Sequence, residues 1–367
     1  MLPVTASPLS RPTAVVALSI LLLATVPRLG AQGSPGPSYP LTPSPVLDMR
    51  LFPASPALSG YLSERTTRRN DSTGFVLNRA RITVQAGPRP FLGIKLQGDF
   101  SGAQTGRLRS DSTTSGFTLT DAYVELVPPP EKAPAGSLLA TLRPALVAGQ
   151  FKMPFSLEYV TPFGLLKTAN RSQVVDRITP KRDIGAMGQI SWSRYVTLAA
   201  AAVNGEGANA TANPDGHQLV LSRLTLTPVR FVEVGGKIAN ESADHVWGYD
   251  SRLLWHGLTL EGESIYRKRP LSATTALDAG GGYALIAYRI FPWLEPVYKY
   301  DRYWDTRTTV RGTTTTIASS SATWNVFGVN LSSAQQSIRL QLDWQRRSER
   351  PTPGRTDEYI AQLIANF

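Results

Sequence analysis

The chain has 367 residues, a formal net charge of +11, 42% hydrophobic and 18% charged residues, and no cysteine. The length suits two ordinary domains or one large β structure, and the lack of cysteine excludes disulfides and cysteine-based metal sites. The three histidines (His217, His245 and His256) lie far apart, which leaves little material for a zinc site or a histidine-dependent catalytic triad, so we expect no metal and no cofactor.

The N-terminal region predicts export. Residues 11–31 hold one basic residue at the start, an apolar core over 14–26, and the small residues Gly30 and Ala31. This pattern predicts a signal peptide over residues 1–31, cleaved after Ala31, because the apolar core is too short to span a bilayer comfortably; an N-terminal anchor helix is the alternative. Residues 32–57 are rich in Pro, Ser and Gly and predict a flexible lead-in.

From residue 58 onward the chain consists of short segments of alternating polarity. Near the C-terminus, for example, Arg339 and Gln341 alternate with Ile338 and Leu340. A period of two indicates strands with one wet and one apolar face, and these segments have about the 9–11 residues that a tilted strand needs to cross a membrane. The sixteen predicted strands are 58–69, 74–86, 91–101, 116–127, 138–152, 184–193, 195–204, 217–227, 230–240, 245–255, 257–267, 282–291, 294–303, 323–332, 337–346 and 357–367.

The predicted connections alternate in length. Those after the second, sixth, eighth, tenth and twelfth strands are short, and those after the third, fifth, seventh, eleventh and thirteenth are long. Short turns on one rim and long loops on the other are typical of outer-membrane barrels, whereas a soluble β-sandwich has no reason to keep that order. We therefore predict an all-β fold over residues 58–367, a transmembrane antiparallel β-barrel of about sixteen strands surrounded by outer-membrane lipid.

The C-terminus supports this prediction. The chain stops on Phe367 within a predicted strand, and Tyr359, Leu363 and Phe367 lie on its outward face. Such an ending resembles the signal by which the barrel-assembly machinery recognises outer-membrane barrels for insertion. We therefore expect localisation in the bacterial outer membrane, with that machinery as a partner.

One connection is longer than a connection normally needs to be. We predict that residues 153–183 form a loop that folds into the barrel and narrows it; a surface loop with scattered charge is the alternative. Basic residues are spread along this loop and its edges at intervals and are candidates for an anion path: Lys152, Lys167, Arg171, Arg177, Lys181 and Arg182.

Basic residues also fall on the predicted lumen face of the strands. In a narrow wet tube they would replace part of an anion's hydration, Arg through a planar fork and Lys as a compact charge. The alternative is that they pair with lumen acids such as Glu125, Glu233 and Glu263 and only hold the wall together. The lumen-wall candidates are Arg79, Arg81, Lys95, Arg223, Lys237, Lys299 and Arg339, with Arg267 also on this face by parity.

Several motifs carry a family resemblance. The segment GQFKMPFSLEYVT followed by NRSQVVDRITPKRDIGAMGQI, together with LSGYLSERTTRR at the start of the predicted barrel, resembles the phosphate-selective porin O and P family over nearly all of 58–367. The resemblance implies a homotrimer of sixteen-stranded barrels with an inward-folded loop and a basic anion path. On the matching motifs it implies path positions for Lys152, Arg171, Lys181 and Arg182.

The functional expectation is an outer-membrane porin, not an enzyme, that passively conducts small anions such as phosphate or polyphosphate. A general-diffusion porin with little selectivity and a non-channel structural barrel are alternatives. An enzymatic barrel is another, with Ser251 and either His256 or His245 as candidates that form no recognised motif. No nucleic acid is expected as a partner, because the basic residues alternate with apolar ones and form no compact patch with stacking aromatics.

Overall fold

The computed structural model describes residues 55–69, 72–89, 91–101, 117–128, 136–137, 141–210, 212–333, 337–351 and 353–367. The predicted signal peptide and residues 32–54 of the predicted lead-in lie outside the described residues. None of the helices in the described part of the chain combines the length and the apolar character needed to cross a bilayer.

Sixteen antiparallel strands form one closed barrel. Each strand pairs with its neighbours along the chain, and β1 pairs with β16 to close the cylinder. The predicted fold class is confirmed. The strands are β1 (Ala57–Arg69), β2 (Ser72–Arg89), β3 (Leu92–Asp99), β4 (Thr118–Leu126), β5 (Ala145–Lys152), β6 (Arg182–Trp192), β7 (Val196–Val203), β8 (Leu219–Val229), β9 (Val232–Glu241), β10 (Asp244–Trp255), β11 (Leu258–Ser272), β12 (Thr275–Tyr288), β13 (Leu294–Arg311), β14 (Thr314–Ser332), β15 (Ile338–Arg350) and β16 (Gly354–Asn366).

The strand boundaries differ most from the prediction at three connections. The predicted long connections after the eleventh and thirteenth strands are wrong, because the β11–β12 and β13–β14 pairs continue to tight turns. The segment between the thirteenth and fourteenth strands is rich in Thr, a residue that favours strands although it gives no apolar alternation. The fifth strand begins at Ala145, directly after Pro144, because Pro cannot donate a hydrogen bond to a strand ladder.

The barrel exterior carries the apolar residues that the alternation predicted. Ile82, Leu224 and Leu342 are each about two-fifths exposed. Aromatic residues gather at strand ends, as where Phe291 and Trp293 stack with ring centroids 5.6 Å apart beside a short turn. This distribution suits a cylinder whose outer wall meets hydrocarbon and whose rims meet the lipid head groups.

The connection between β5 and β6 folds into the barrel, as predicted. It contains helix α1 (Leu157–Val160), a 3₁₀ turn (Phe163–Leu165) and helix α2 (Gln173–Ile178). The predicted range of 153–183 is slightly too long, because β6 already begins at Arg182. We refer to residues 153–181 as the inserted loop.

An apolar core lies inside the barrel, between the inserted loop and the wall. Phe155 and Val175 of the loop are fully buried, in one cluster with Leu221, Ile265 and Tyr283 of the wall. Helix α2 packs against β11, β12 and β13. The wet interior that the alternation predicted is therefore confined to part of the lumen, because the loop covers the rest with apolar side chains.

Candidate functional site

Carboxylates of the lumen wall hold the inserted loop by its backbone and hydroxyl groups. Glu263 on β11 accepts hydrogen bonds from Ser156 Oγ at 2.8 Å and from the amides that begin helix α1. Asp301 on β13 accepts hydrogen bonds from Ser172 Oγ and Gln173 N, both at 2.7 Å, where helix α2 begins. Each carboxylate thus accepts hydrogen bonds from amides at a helix start that have no partner within the helix.

Wall cations bind the same loop through its oxygen atoms. Arg223 donates to the carbonyl of Phe155 at 2.8 Å, and Arg339 donates to that of Leu166 at 2.6 Å. Lys299 Nζ donates to the hydroxyl of Thr168 and to the carbonyl of Asn170, both at 2.8 Å. All three cations are less than a tenth exposed. Three of the predicted path residues therefore anchor the loop.

Lys237, another predicted path residue, belongs to a buried ionic network. Its Nζ donates to Asp250 at 2.7 Å and pairs with Glu263. Arg223 binds both oxygens of Asp250, at 2.6 and 2.7 Å. Because each of these cations has carboxylate partners and is covered by the loop, the arrangement matches the alternative in which lumen charges stabilise the wall.

Glu158, in helix α1, completes the attachment. It accepts a hydrogen bond from Ser172 N at 2.6 Å and forms an ion pair with Lys299 at 3.1 Å. Burial raises the pKa of Glu158 to about 7, although Lys299 and the Ser172 amide both act to lower it. One loop carboxylate therefore ties the first half of the inserted loop to the second.

The inserted loop runs deep into the barrel and across it. Phe163 stacks on Tyr61 of β1 with centroids 5.5 Å apart, and the Arg79 guanidinium lies 4.7 Å from the Phe163 ring. Lys167 pairs at 2.6 Å with Glu295, which follows a short turn at the start of β13. The loop therefore contacts both β1 and β13 of the lumen wall.

A second group of basic residues faces the lumen on the side of β2 to β6. Asp99 pairs with Arg81 at 2.8 Å, and Asp121 pairs with Arg182 at 2.7 Å and with Lys95 at 3.2 Å. Glu125 is a third acid on this side. Three carboxylates therefore face six cations, and positive charge is in excess here. We call these six residues the basic side: Arg79, Arg81, Lys95, Lys152, Arg171 and Arg182.

Tyr159 is the centre of the basic side. Lys152 Nζ lies 5.3 Å and the Arg171 guanidinium 5.2 Å from the centre of its ring, and Arg182 donates to its hydroxyl at 3.2 Å. Over the part of the chain that the structure describes, no carboxylate lies within 4 Å of Lys152 or Arg171. The aromatic face contacts both side chains and brings no negative charge to them.

The remaining predicted residues lie apart from Tyr159. Arg177 is exposed, with its guanidinium 4.6 Å from the ring of Tyr303. Lys181 is exposed at the end of the inserted loop. Arg267 pairs with Asp244 at 2.9 Å near the rim of the long connections.

Phe367 closes the seam of the barrel. It exchanges backbone hydrogen bonds of 3.0 Å with Gly60 of β1, and its ring lies directly over that glycine, where an added Cβ would come within 2.5 Å of it. The role of Phe367 as an insertion signal stays a prediction.

Candidate residues chosen for their charge do not include every residue of this site. Tyr159 and Phe163 were not singled out, although Tyr159 organises three of the six basic-side cations. Asp301 was also missed as a loop anchor. The sequence does hold a signal for such anchors. An acid at a lumen position in the middle of a strand suggests a partner such as an amide of an inserted segment.

Comparison with known proteins first gives a negative result: the sequence matches no protein-family model and no curated protein. The fold is shared by a loop-deletion form of OmpT, an outer-membrane protein of Vibrio cholerae (8% identity, TM-score 0.61, 85% of this chain and 99% of that chain). An anion-selective porin from Comamonas acidovorans shares it as well (10% identity, TM-score 0.57, 85% of this chain and 99% of that chain). So does the outer-membrane channel DcaP of Acinetobacter baumannii (10% identity, TM-score 0.56, 85% of this chain and 97% of that chain). The chain has the fold of an outer-membrane porin. One of the OmpT structures with this porin fold is a trimer form.

Proposed function

We propose that the chain is an outer-membrane porin that conducts small anions passively past the basic side of its constriction. The observation that carries the proposal is the pair Lys152 and Arg171, held at the Tyr159 ring without a carboxylate within 4 Å in the described part of the chain. Helix α2 of the inserted loop packs against β11, β12 and β13 on the other side of the lumen, so we expect a solute that crosses the barrel to pass these cations.

A field of uncompensated cations in a narrow tube raises the local concentration of anions and lowers the barrier to their passage. The exposed fractions separate the most accessible members of the two groups: the side chains of Lys95 and Arg79 are 21% and 20% exposed, whereas those of Lys237 and Lys299 are 0% and 2% exposed. Arg81 and Arg182 of the basic side are less than a tenth exposed. We therefore assign the path to the basic side and leave Arg223, Lys237, Lys299 and Arg339 outside it.

Phosphate and polyphosphate are the solutes that we propose. Arginine forks suit phosphate oxygens, and the basic side holds four arginines. Arg81 and Arg182 are paired with Asp99 and Asp121, which leaves Arg79 and Arg171 as the more accessible forks. The resemblance of the GQFK and RDIG motifs to phosphate-selective porins supports the same solute, and one structure with this fold is an anion-selective porin. We also propose export through a cleaved signal peptide, residence in the outer membrane, insertion aided by Phe367, assembly as a trimer, and no enzymatic activity.

The test is the reversal potential of the purified full-length chain in a planar bilayer, under a gradient first of potassium chloride and then of potassium phosphate. A unit charge about 4 Å from the ion is worth about 1 kcal/mol in water, and screening is limited within about 10 Å at 0.1 M salt. Lys152→Glu or Arg171→Glu should each lower the anion-to-cation permeability ratio at least about fivefold.

The matched control is Arg194→Glu, the same charge reversal at an exposed position in the short turn between β6 and β7. It should leave the ratio near that of the unaltered chain. An unaltered chain that prefers potassium, or that gives no conductance, would overturn the proposal. A ratio near one would favour the general-diffusion porin.

A further inference from the structure

A cavity of about 300 Å³ opens beside the basic side, between the inserted loop and the connection from β7 to β8. It lies on the rim that carries the longer connections, next to the residues where β5 ends and β6 begins. A solute that entered from this rim would meet the cavity before the constriction. We call this cavity the vestibule; its lining is Met153, Tyr159, Pro180, Lys181, Arg182, Asp183, Gly205, Gly207, Ala208 and Leu219.

The vestibule wall is fixed by specific hydrogen bonds. Asp183 accepts hydrogen bonds from the amides of Gly205 at 2.8 Å and Gly207 at 3.1 Å, two residues with positive φ angles. Gln150 accepts one from Asn209 N at 2.6 Å. These bonds tie the β7–β8 connection to β5 and β6, so the cavity does not depend on a loop free to move away.

The charge of the vestibule is positive. Both oxygens of Asp183 are occupied by backbone amides, of Ile184, Gly205 and Gly207. Lys181 is exposed, and within the described ranges no carboxylate lies within 4 Å of its ammonium group. The Arg182 guanidinium also lines the space. An anion that enters therefore meets the exposed ammonium group of Lys181, because Arg182 is paired with Asp121 at 2.7 Å. The carboxylate of Glu241 lies against Gly205 at the edge of the same space.

The rest of the lining is apolar. Met153 and Leu219 are buried to more than nine-tenths and belong to the core between loop and wall, and Pro180, Ala208 and the ring of Tyr159 complete the surface. Such surface offers nothing to a fully hydrated inorganic ion. It does favour carbon atoms, because each methylene removed from water is stabilising.

We propose that the vestibule binds organic anions with a carboxylate head and an apolar body of several carbons, and so favours them among the solutes that enter the pore. The proposal rests on the proposed function, since it adds a solute class to an anion path. The head pairs with Lys181, next to Arg182, whose guanidinium is held by Asp121, and the body lies against the apolar part of the lining. Inorganic phosphate passes the same cations without this second contact.

The experiment measures how acetate, butyrate, hexanoate and inorganic phosphate reduce the chloride current through single channels of the full-length chain. A buried methylene is worth about a fourfold gain in binding. The concentration of hexanoate that halves the current should therefore be at least about tenfold lower than that of acetate. The concentration of phosphate that does so should be close to that of acetate. Hexanoate no stronger than acetate would overturn the inference.

Variants locate the effect. Ala208→Trp places a large side chain in the vestibule from an exposed position. In this variant hexanoate and acetate should halve the current at similar concentrations. The matched control, Pro214→Trp, lies in the same connection outside the cavity lining and should keep the tenfold difference. A difference that survives Ala208→Trp would also overturn the inference.

Reversal potentials recorded on the same membranes separate the two proposals. Anion preference without chain-length dependence would reject the vestibule and keep the anion porin. Cation preference would reject both.

Discussion

The attachment of the inserted loop to the wall can be tested at Asp301. This carboxylate accepts hydrogen bonds from Ser172 Oγ and Gln173 N, both at 2.7 Å, and is 2% exposed. In Asp301→Asn the side chain keeps its shape, its one oxygen can accept from Gln173 N and its amide nitrogen faces Ser172 Oγ, so neither contact keeps a charged acceptor.

A hydrogen bond to a charged group contributes about 1.5–3 kcal/mol. We therefore expect local opening of the segment over residues 172–179 to become easier by about 2 kcal/mol, which corresponds to about a 30-fold rise in the opening equilibrium. The barrel should stay folded, because its strands do not depend on this contact. Hydrogen exchange of the amides in 172–179, followed by mass spectrometry of the detergent-solubilised chain, measures the effect.

The control is Asp305→Asn, four residues further along the same face of β13, where the carboxylate accepts a hydrogen bond from Ser320 Oγ at 3.1 Å. Unchanged exchange in Asp301→Asn would refute the anchoring argument. An equal rise in both variants would do so too, because the effect would then come from β13 in general.

Two further predictions concern the seam and the loop. Gly60→Ala would place a Cβ within 2.4 Å of the Arg81 carbonyl oxygen and 2.5 Å of the Phe367 ring, so we expect a loss of about 1–3 kcal/mol in barrel stability. Phe367→Ala should lower the assembled fraction, seen as barrel that migrates in folded form on unheated gels; full assembly of both variants would contradict this. Because Glu158 has a pKa of about 7 in the fold and an ordinary value of 4.5, the folded chain binds this proton more tightly than the unfolded chain. Stability should therefore fall by up to about 3 kcal/mol as the pH rises from about 5 to about 8, and Glu158→Gln should remove that slope in thermal unfolding; parallel curves would contradict it.

The strands and their faces follow from the local pattern of residues. The alternation of Ile338 and Leu340 with Arg339 and Gln341 is a local property, because neighbouring side chains of a strand point to opposite sides whatever the strand pairs with. Sixteen strands and an inserted loop between the fifth and sixth could therefore be predicted. The local pattern failed where the Thr-rich segment between β13 and β14 lacks alternation. The predicted strands of the β11–β12 and β13–β14 hairpins are shorter than the observed ones.

Which lumen cations remain available to an anion depends on how the chain packs in three dimensions. By parity Lys299 and Lys95 are equivalent, yet Lys299 is 1% exposed under the inserted loop while Lys95 stays on the open side. A cation loses its availability when a carboxylate or a carbonyl comes within hydrogen-bond distance and water is excluded. That depends on where residues more than a hundred positions away are placed, which strand periodicity does not specify.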